Sequence, residues 1–155
     1  MTMSERPDPV DVGLHYLAVG HFLRKVVDDH MTAGGLSLAR SKVLEVLAHR
    51  SPLQQSALAE ALGHAPRSVT QSVEALEREG LIERTTSTED RRSKLVTLTP
   101  LGATALAAGT TAGEDVLSKI FGTLPEAELA LLDKLLNAID TAMSAQPKGQ
   151  SAEPR

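Results

Sequence analysis

The chain has 155 residues, 41% apolar, 23% charged and only 2% aromatic, with a formal net charge of -4 and no cysteine. This is globular composition with an aliphatic core, enough for one domain or for a small domain plus helices that need a partner. It excludes coating of nucleic acid or anionic membrane by bulk charge, and it excludes disulfides, thiolate nucleophiles, Cys-type zinc sites and thiol redox sensing.

Residues 1–9, with two prolines and mixed charge, read as a loose arm. The stretch MTMSERPDPVD has no apolar segment after its charges and no apolar run reaches spanning length, so a soluble, cytoplasmic protein with no membrane partner is expected. From Val10 to Met31 apolar residues recur at three- and four-residue steps, the pattern of a long amphipathic helix that Gly34-Gly35 stops. Ser37 is a candidate N-cap for a second helix with Val43, Leu44, Val46 and Leu47 inward, ending before Ser51-Pro52. A short third helix spans Gln55 to Leu62 and breaks at Gly63. Pro66 opens a fourth that runs to about Glu79 with Val69, Val73 and Leu76 inward.

Leu81–Thr86 and Ser93–Thr99 read as two strands joined by a polar tip, a β-hairpin. Pro100 to about Phe121 is helical despite Gly109 and Gly113, each costing about 1 kcal/mol against Ala. Thr123 is the expected cap of a last helix whose stripe is Leu129, Leu132, Leu135, Leu136, Ile139 and Met143. Residues 146–155 read as a disordered tail. The fold class is mainly α with a small β-wing. Its apolar terminal stripes would leave a large exposed surface in a single chain, so a homodimer is expected.

A short helix, a Gly-containing turn and a second helix opening with polar residues form the helix-turn-helix pattern. With Val69, Val73 and Leu76 inward, Arg67, Ser68, Thr70, Gln71 and Glu74 fall on the open face. A guanidinium, hydroxyls and an amide suit base edges and phosphates. The same residue types also suit an ordinary solvated αα-hairpin; the following wing, with Arg91 and Arg92 at its tip, tilts the reading toward DNA.

The run SALAEALGHAPRSVTQSVEALEREGLIERTTSTEDRRSKLVTLTPLG, Ser56 to Gly102, resembles the winged helix of the MarR family, the multiple antibiotic resistance type regulators. LAEALG, SVTQSVEALEREGLIER and Asp90-Arg91-Arg92 ahead of KLVTLTPLG carry the resemblance, which with the flanking helices covers roughly residues 10–143. It implies that Arg92 enters the minor groove and that Asp90 orients it. It further implies that Arg67, Ser68, Thr70 and Gln71 face the major groove and that Gln55 and Ser56 touch phosphate. The implied organisation is a winged helix-turn-helix domain at 36–100 flanked by dimerisation helices at 10–35 and 101–145. The implied function is a dimeric, sequence-specific regulator, a repressor on a pseudo-palindromic operator in double-stranded DNA, released by a small aromatic or phenolic effector. Candidates for effector contact are His15, Tyr16 and Arg40. Ala65 and Pro66 stand where the family often has a Ser or Thr cap followed by Arg, and Gln54 replaces a common Thr.

The five histidines, His15, His21, His30, His49 and His64, show no metal-ligand spacing, so no metal and no cofactor are expected. Asp28-Asp29 reads as decoration of a solvated helix end. No nucleophile elbow, phosphate loop or carboxylate pair supports an enzyme. The competing reading is a winged-helix module that binds protein, an anti-repressor that does not use DNA.

Overall fold

The structure, a computed structural model, describes residues 7–89 and 93–145. The expected arm (except for its last three residues), the tail at 146–155, and Asp90, Arg91 and Arg92 lie outside the described residues. The chain forms two units with the boundary after Val116.

Helix α1 (Pro9–Ala33) begins within the stretch read as an arm. The Asp8 carboxylate accepts the Val10 N–H at 2.7 Å, and Pro9 occupies a first-turn position where a missing N–H costs nothing. Ser37 caps α2 (Leu38–Arg50) as expected, accepting from the Arg40 N–H. Asp28 is not decoration: it is half-buried, and its carboxylate accepts the Leu38 N–H at 2.7 Å, tying α1 to the start of α2. The sequence concealed this because the two residues are ten apart.

Strand β1 (Leu53–Gln54), α3 (Gln55–Leu62) and α4 (Pro66–Arg78) follow. Gly63 ends α3 in the left-handed region, φ 64°, which an L side chain rarely adopts. The hairpin is β2 (Ile82–Thr86) and β3 (Lys94–Leu98), closed beyond the strands by the Ser87 N–H donating to the Ser93 carbonyl. The sheet has three antiparallel strands in the order β1-β3-β2, one more than the sequence suggested. Two residues are too few to show alternation, so β1 had no periodic signal. It exists because Leu53 opposes Val96 and Gln54 opposes Leu95.

Helix α5 (Pro100–Phe121) passes close to the base of the hairpin, where Gly102 is required by contact: a Cβ there would lie 2.0 Å from the Leu81 carbonyl oxygen. Gly109 and Gly113, read from sequence as weak points, are likewise buried against Leu36 and Met31. The last helix is α6 (Glu126–Ser144). Thr123 does not cap it; its hydroxyl donates to the Ile120 carbonyl, and Pro125 holds the cap position without a side-chain bond.

The main core gathers α2, α3, α4 and the sheet. Leu44, Leu47, Leu58, Val69, Val73, Leu76, Ile82 and Val96 are fully buried, each contributing about 1.5–3 kcal/mol of transfer energy. It is aliphatic throughout, as the composition required. A smaller cluster of Val27, Met31 and Val116 joins α1 to α5. The rest of the α1 stripe, Val10, Leu14, Leu17, Val19 and Phe22, is exposed, and in α6 so are Leu129, Leu135, Ile139 and Met143.

Candidate nucleic-acid interface

α4 stands on the core through Val69, Val73 and Leu76. The 3.6-residue period then turns Arg67, Ser68, Gln71 and Glu74 outward, and all four are exposed. The helix opens with Ala65 in the cap position, without a side-chain hydrogen bond, and with Pro66 in its first turn. The Ser68 and Val69 N–H groups bond back to the Ala65 carbonyl, so the local turn rather than a cap starts the helix.

Two residues expected to face DNA are engaged with each other. The Gln55 side-chain amide donates to the Thr70 hydroxyl at 2.8 Å, and that hydroxyl donates to the Pro66 carbonyl at 3.0 Å. Both side chains are half-buried, and the pair fastens the start of α3 to the start of α4. Ser56 is exposed beside them.

The far end of α4 carries two ion pairs. The Arg84 Nε and Nη2 donate to Glu77 Oε2 at 2.8 and 2.6 Å, and the Arg84 backbone N–H donates to Glu77 Oε1 at 3.2 Å. The guanidinium holds the Glu77 carboxyl below its ordinary range, outweighing partial burial, and the carboxylate in turn raises the Arg84 pKa. One residue beyond the helix, Glu79 pairs with Arg40 at the start of α2. Sequence reading missed Glu77 and Arg84; opposite charges flanking the Gly80 turn were the available signal.

The hairpin lies directly after α4, with Lys94 donating to the Thr86 hydroxyl across the strands. Arg91, Arg92 and Asp90, the wing-tip candidates, fall outside the described residues.

A cavity of about 1000 Å³ lies among α1, α2 and the end of α3. Leu38, Val46 and Leu62 supply apolar wall, while His21, His49 and His64, distant in sequence, meet there with Arg24 and Arg50. His15, Tyr16 and Arg40 do not line it. Arg40 faces Glu79 instead, with its Nε buried and unbonded. Among the described residues no three His, Asp or Glu side chains are grouped to hold a metal ion, and no helix is long and apolar enough to cross a membrane.

Residues 36–94 match the family model described as the MarR family. That segment carries the chain's similarity to the MarR family. Over 76 residues it is 41% identical to a Thauera aromatica protein named as a transcriptional regulatory protein for the hcr operon; the match takes in 49% of this chain and spans about half, 46%, of that relative's length. Among solved structures it is similar to the YusO protein from Bacillus subtilis, at 25% identity and a TM-score of 0.74, covering 86% of this chain and 94% of that one. Wild-type MarR from E. coli superposes with a TM-score of 0.73 at 22% identity, over 87% and 98% of the two chains. The winged-helix fold of the MarR family thus accounts for the three-stranded sheet and its flanking helices.

Proposed function

We propose that this chain is a homodimeric regulator of transcription that binds a pseudo-palindromic operator in duplex DNA, and that its role is binding rather than catalysis. The observation that carries the reading is the placement of exposed Arg67, Ser68 and Gln71 on the outer face of a helix anchored by a fully buried apolar face, next in the chain to a β-hairpin. A bidentate Arg or Gln contact discriminates among bases by about 1–3 kcal/mol. The Gln55–Thr70 bond makes those two residues supports of this surface, with Ser56 left for phosphate. Arg92, with Asp90 as its orienting partner as the sequence resemblance implies, completes the set, and Arg91 beside them holds the DNA backbone. The exposed stripes of α1 and α6 are the dimer surface, with residues 10–35 and 101–145 as its domain.

Repression is released by a small aromatic anion. The cavity supports this because Lys25 is taken by Asp29 and Lys42 by Glu45, leaving Arg24 and Arg50 with the three imidazoles above an apolar wall. His15, Tyr16 and Arg40 are the alternative contacts if the ligand sits nearer the subunit boundary.

Selection of bound duplexes from a random pool tests the DNA reading. An inverted repeat with centres roughly one helical turn apart is expected, with affinity falling steeply in salt by about 0.9 log-log units per neutralised phosphate. Recovery of no sequence and no salt-dependent binding rejects it in favour of a protein-binding module. Arg24→Ala with Arg50→Ala is expected to abolish release by aromatic carboxylates without altering DNA affinity in their absence.

A further inference from the structure

We infer that Glu77 and Arg84 are positioning residues that fix the angle of the β2–β3 hairpin on the DNA-reading helix, so that helix and wing engage one duplex together. The inference rests on the DNA-binding reading given above. Apolar anchoring of the hairpin ends early: Ile82 and Val96 are buried, whereas Glu83, Thr85, Thr86 and Lys94 are exposed. The next pair, Thr85 with Leu95, is still flanked by Gln54 of β1; past it the hairpin continues as two strands only, an arrangement that is marginal on its own. Arg84 pairs in register with Val96, one pair before the third strand ends.

The contact there constrains both position and direction. One carboxylate receives two guanidinium N–H groups and the backbone N–H of the same residue, so the strand is gripped at its main chain and at the tip of its side chain. Neither partner is freely solvated, with side-chain exposures of 25% for Arg84 and 34% for Glu77. Glu74, one turn earlier, and Lys94, across the hairpin, reinforce the two charges. Three residue steps lead from Arg84 to Ser87, a lever of about 10 Å, so a 10° tilt at the clasp moves that point by roughly 2 Å. That shift is enough to take a cation out of hydrogen-bonding range of a phosphate.

The test uses the full chain on its selected operator, comparing wild type with Glu77→Gln and Arg84→Lys, each checked for folding and measured well below its melting temperature. The clasp predicts that both variants keep footprint protection at the half-site centres and lose it at the wing-facing flanks. If one phosphate contact per wing is lost, the log-log salt slope drops by about 1.8 per dimer, so wild type loses about twelvefold more affinity than the variant between 50 and 200 mM salt. Should Glu77→Gln fail to fold, Arg84→Lys keeps the charge and removes only the fork, giving the same comparison. A folded variant with the wild-type slope and flank protection, whatever its melting temperature, overturns the inference. Wild-type protein that binds no duplex overturns the DNA reading and this inference with it; that failure is visible before any variant is made.

Discussion

Gly102→Ala is the sharpest perturbation of the joint between wing and α5. A Cβ at this position lies 2.0 Å from the Leu81 carbonyl oxygen, 2.7 Å from Leu98 Cδ1 and 2.9 Å from the Leu81 carbonyl carbon. Backbone cannot rotate away as a side-chain end can, so the first turn of α5 must withdraw by about 1 Å. Three hydrogen bonds converge there: Thr99 N–H to Leu81 O at 3.2 Å, Thr99 Oγ1 to Gly80 O at 2.6 Å, and Gly102 N–H to Thr99 Oγ1 at 3.0 Å. Overpacking costs about 1–3 kcal/mol and weakening of these bonds about 1 kcal/mol each, against a helix-propensity gain of about 1 kcal/mol. The net loss is about 3 kcal/mol, a fall in Tm of roughly 6–12 °C for a chain of this size. Gly113→Ala is the internal control. Its Cβ comes tightest to the Met31 sulfur at 3.3 Å, an adaptable neighbour, with Met31 Cγ at 3.8 Å and Val27 Cγ1 at 4.0 Å in ordinary contact, so the variant melts level with or a few degrees above wild type. Gly109→Ala, 2.9 Å from Leu36 Cδ2, falls between them. Circular-dichroism melts at one fixed protein concentration provide the ranking. A Gly102→Ala protein that melts within about 2 °C of wild type, or above Gly109→Ala, refutes the close-approach argument.

Three further outcomes are expected. Glu77 has a folded pKa below its ordinary value of 4.5, so its contribution to stability is present above that value and is lost as pH falls through the folded pKa; Glu77→Gln should therefore flatten the stability loss in urea titrations below pH 4.5 and lower stability at pH 7. Thr70→Val removes the acceptor of the Gln55 amide and should weaken operator binding about five- to tenfold in fluorescence anisotropy, with the selected sequence unchanged; a changed sequence preference would show Thr70 reading bases directly. Leu14→Glu combined with Leu17→Glu places charges on the exposed α1 stripe and should shift sedimentation from dimer to monomer at micromolar concentration, whereas an unaltered dimer would move the interface elsewhere.

Elements with a strong period or a hard stop were legible in the sequence. α3 ends at Gly63, α4 runs from Pro66 to just before Gly80, and α5 begins at Pro100, and the α4 core face of Val69, Val73 and Leu76 followed from spacing alone. The illegible parts depend on contacts between distant residues. β1 has no pattern of its own, and Asp28 finds its N–H ten residues on in another helix. In the candidate site the outward face of α4 was readable. The withdrawal of Gln55 and Thr70 into a mutual bond was not, because two polar residues fifteen apart look the same whether they face solvent or each other. The gathering of His21, His49 and His64 around one cavity likewise comes from tertiary packing.

The two-residue strand β1 decides where this chain can change length. Leu53 and Gln54 are registered on Val96 and Leu95, the Leu98 N–H donates to the Ser51 hydroxyl, and α3 starts at the very next residue, Gln55. An insertion or deletion between Arg50 and Gln55 would flip Leu53 off the core face and rotate α3 about its axis by roughly 100°, carrying its turn and α4 with it. Among related chains, gaps should therefore be purged from the four residues that join α2 to α3.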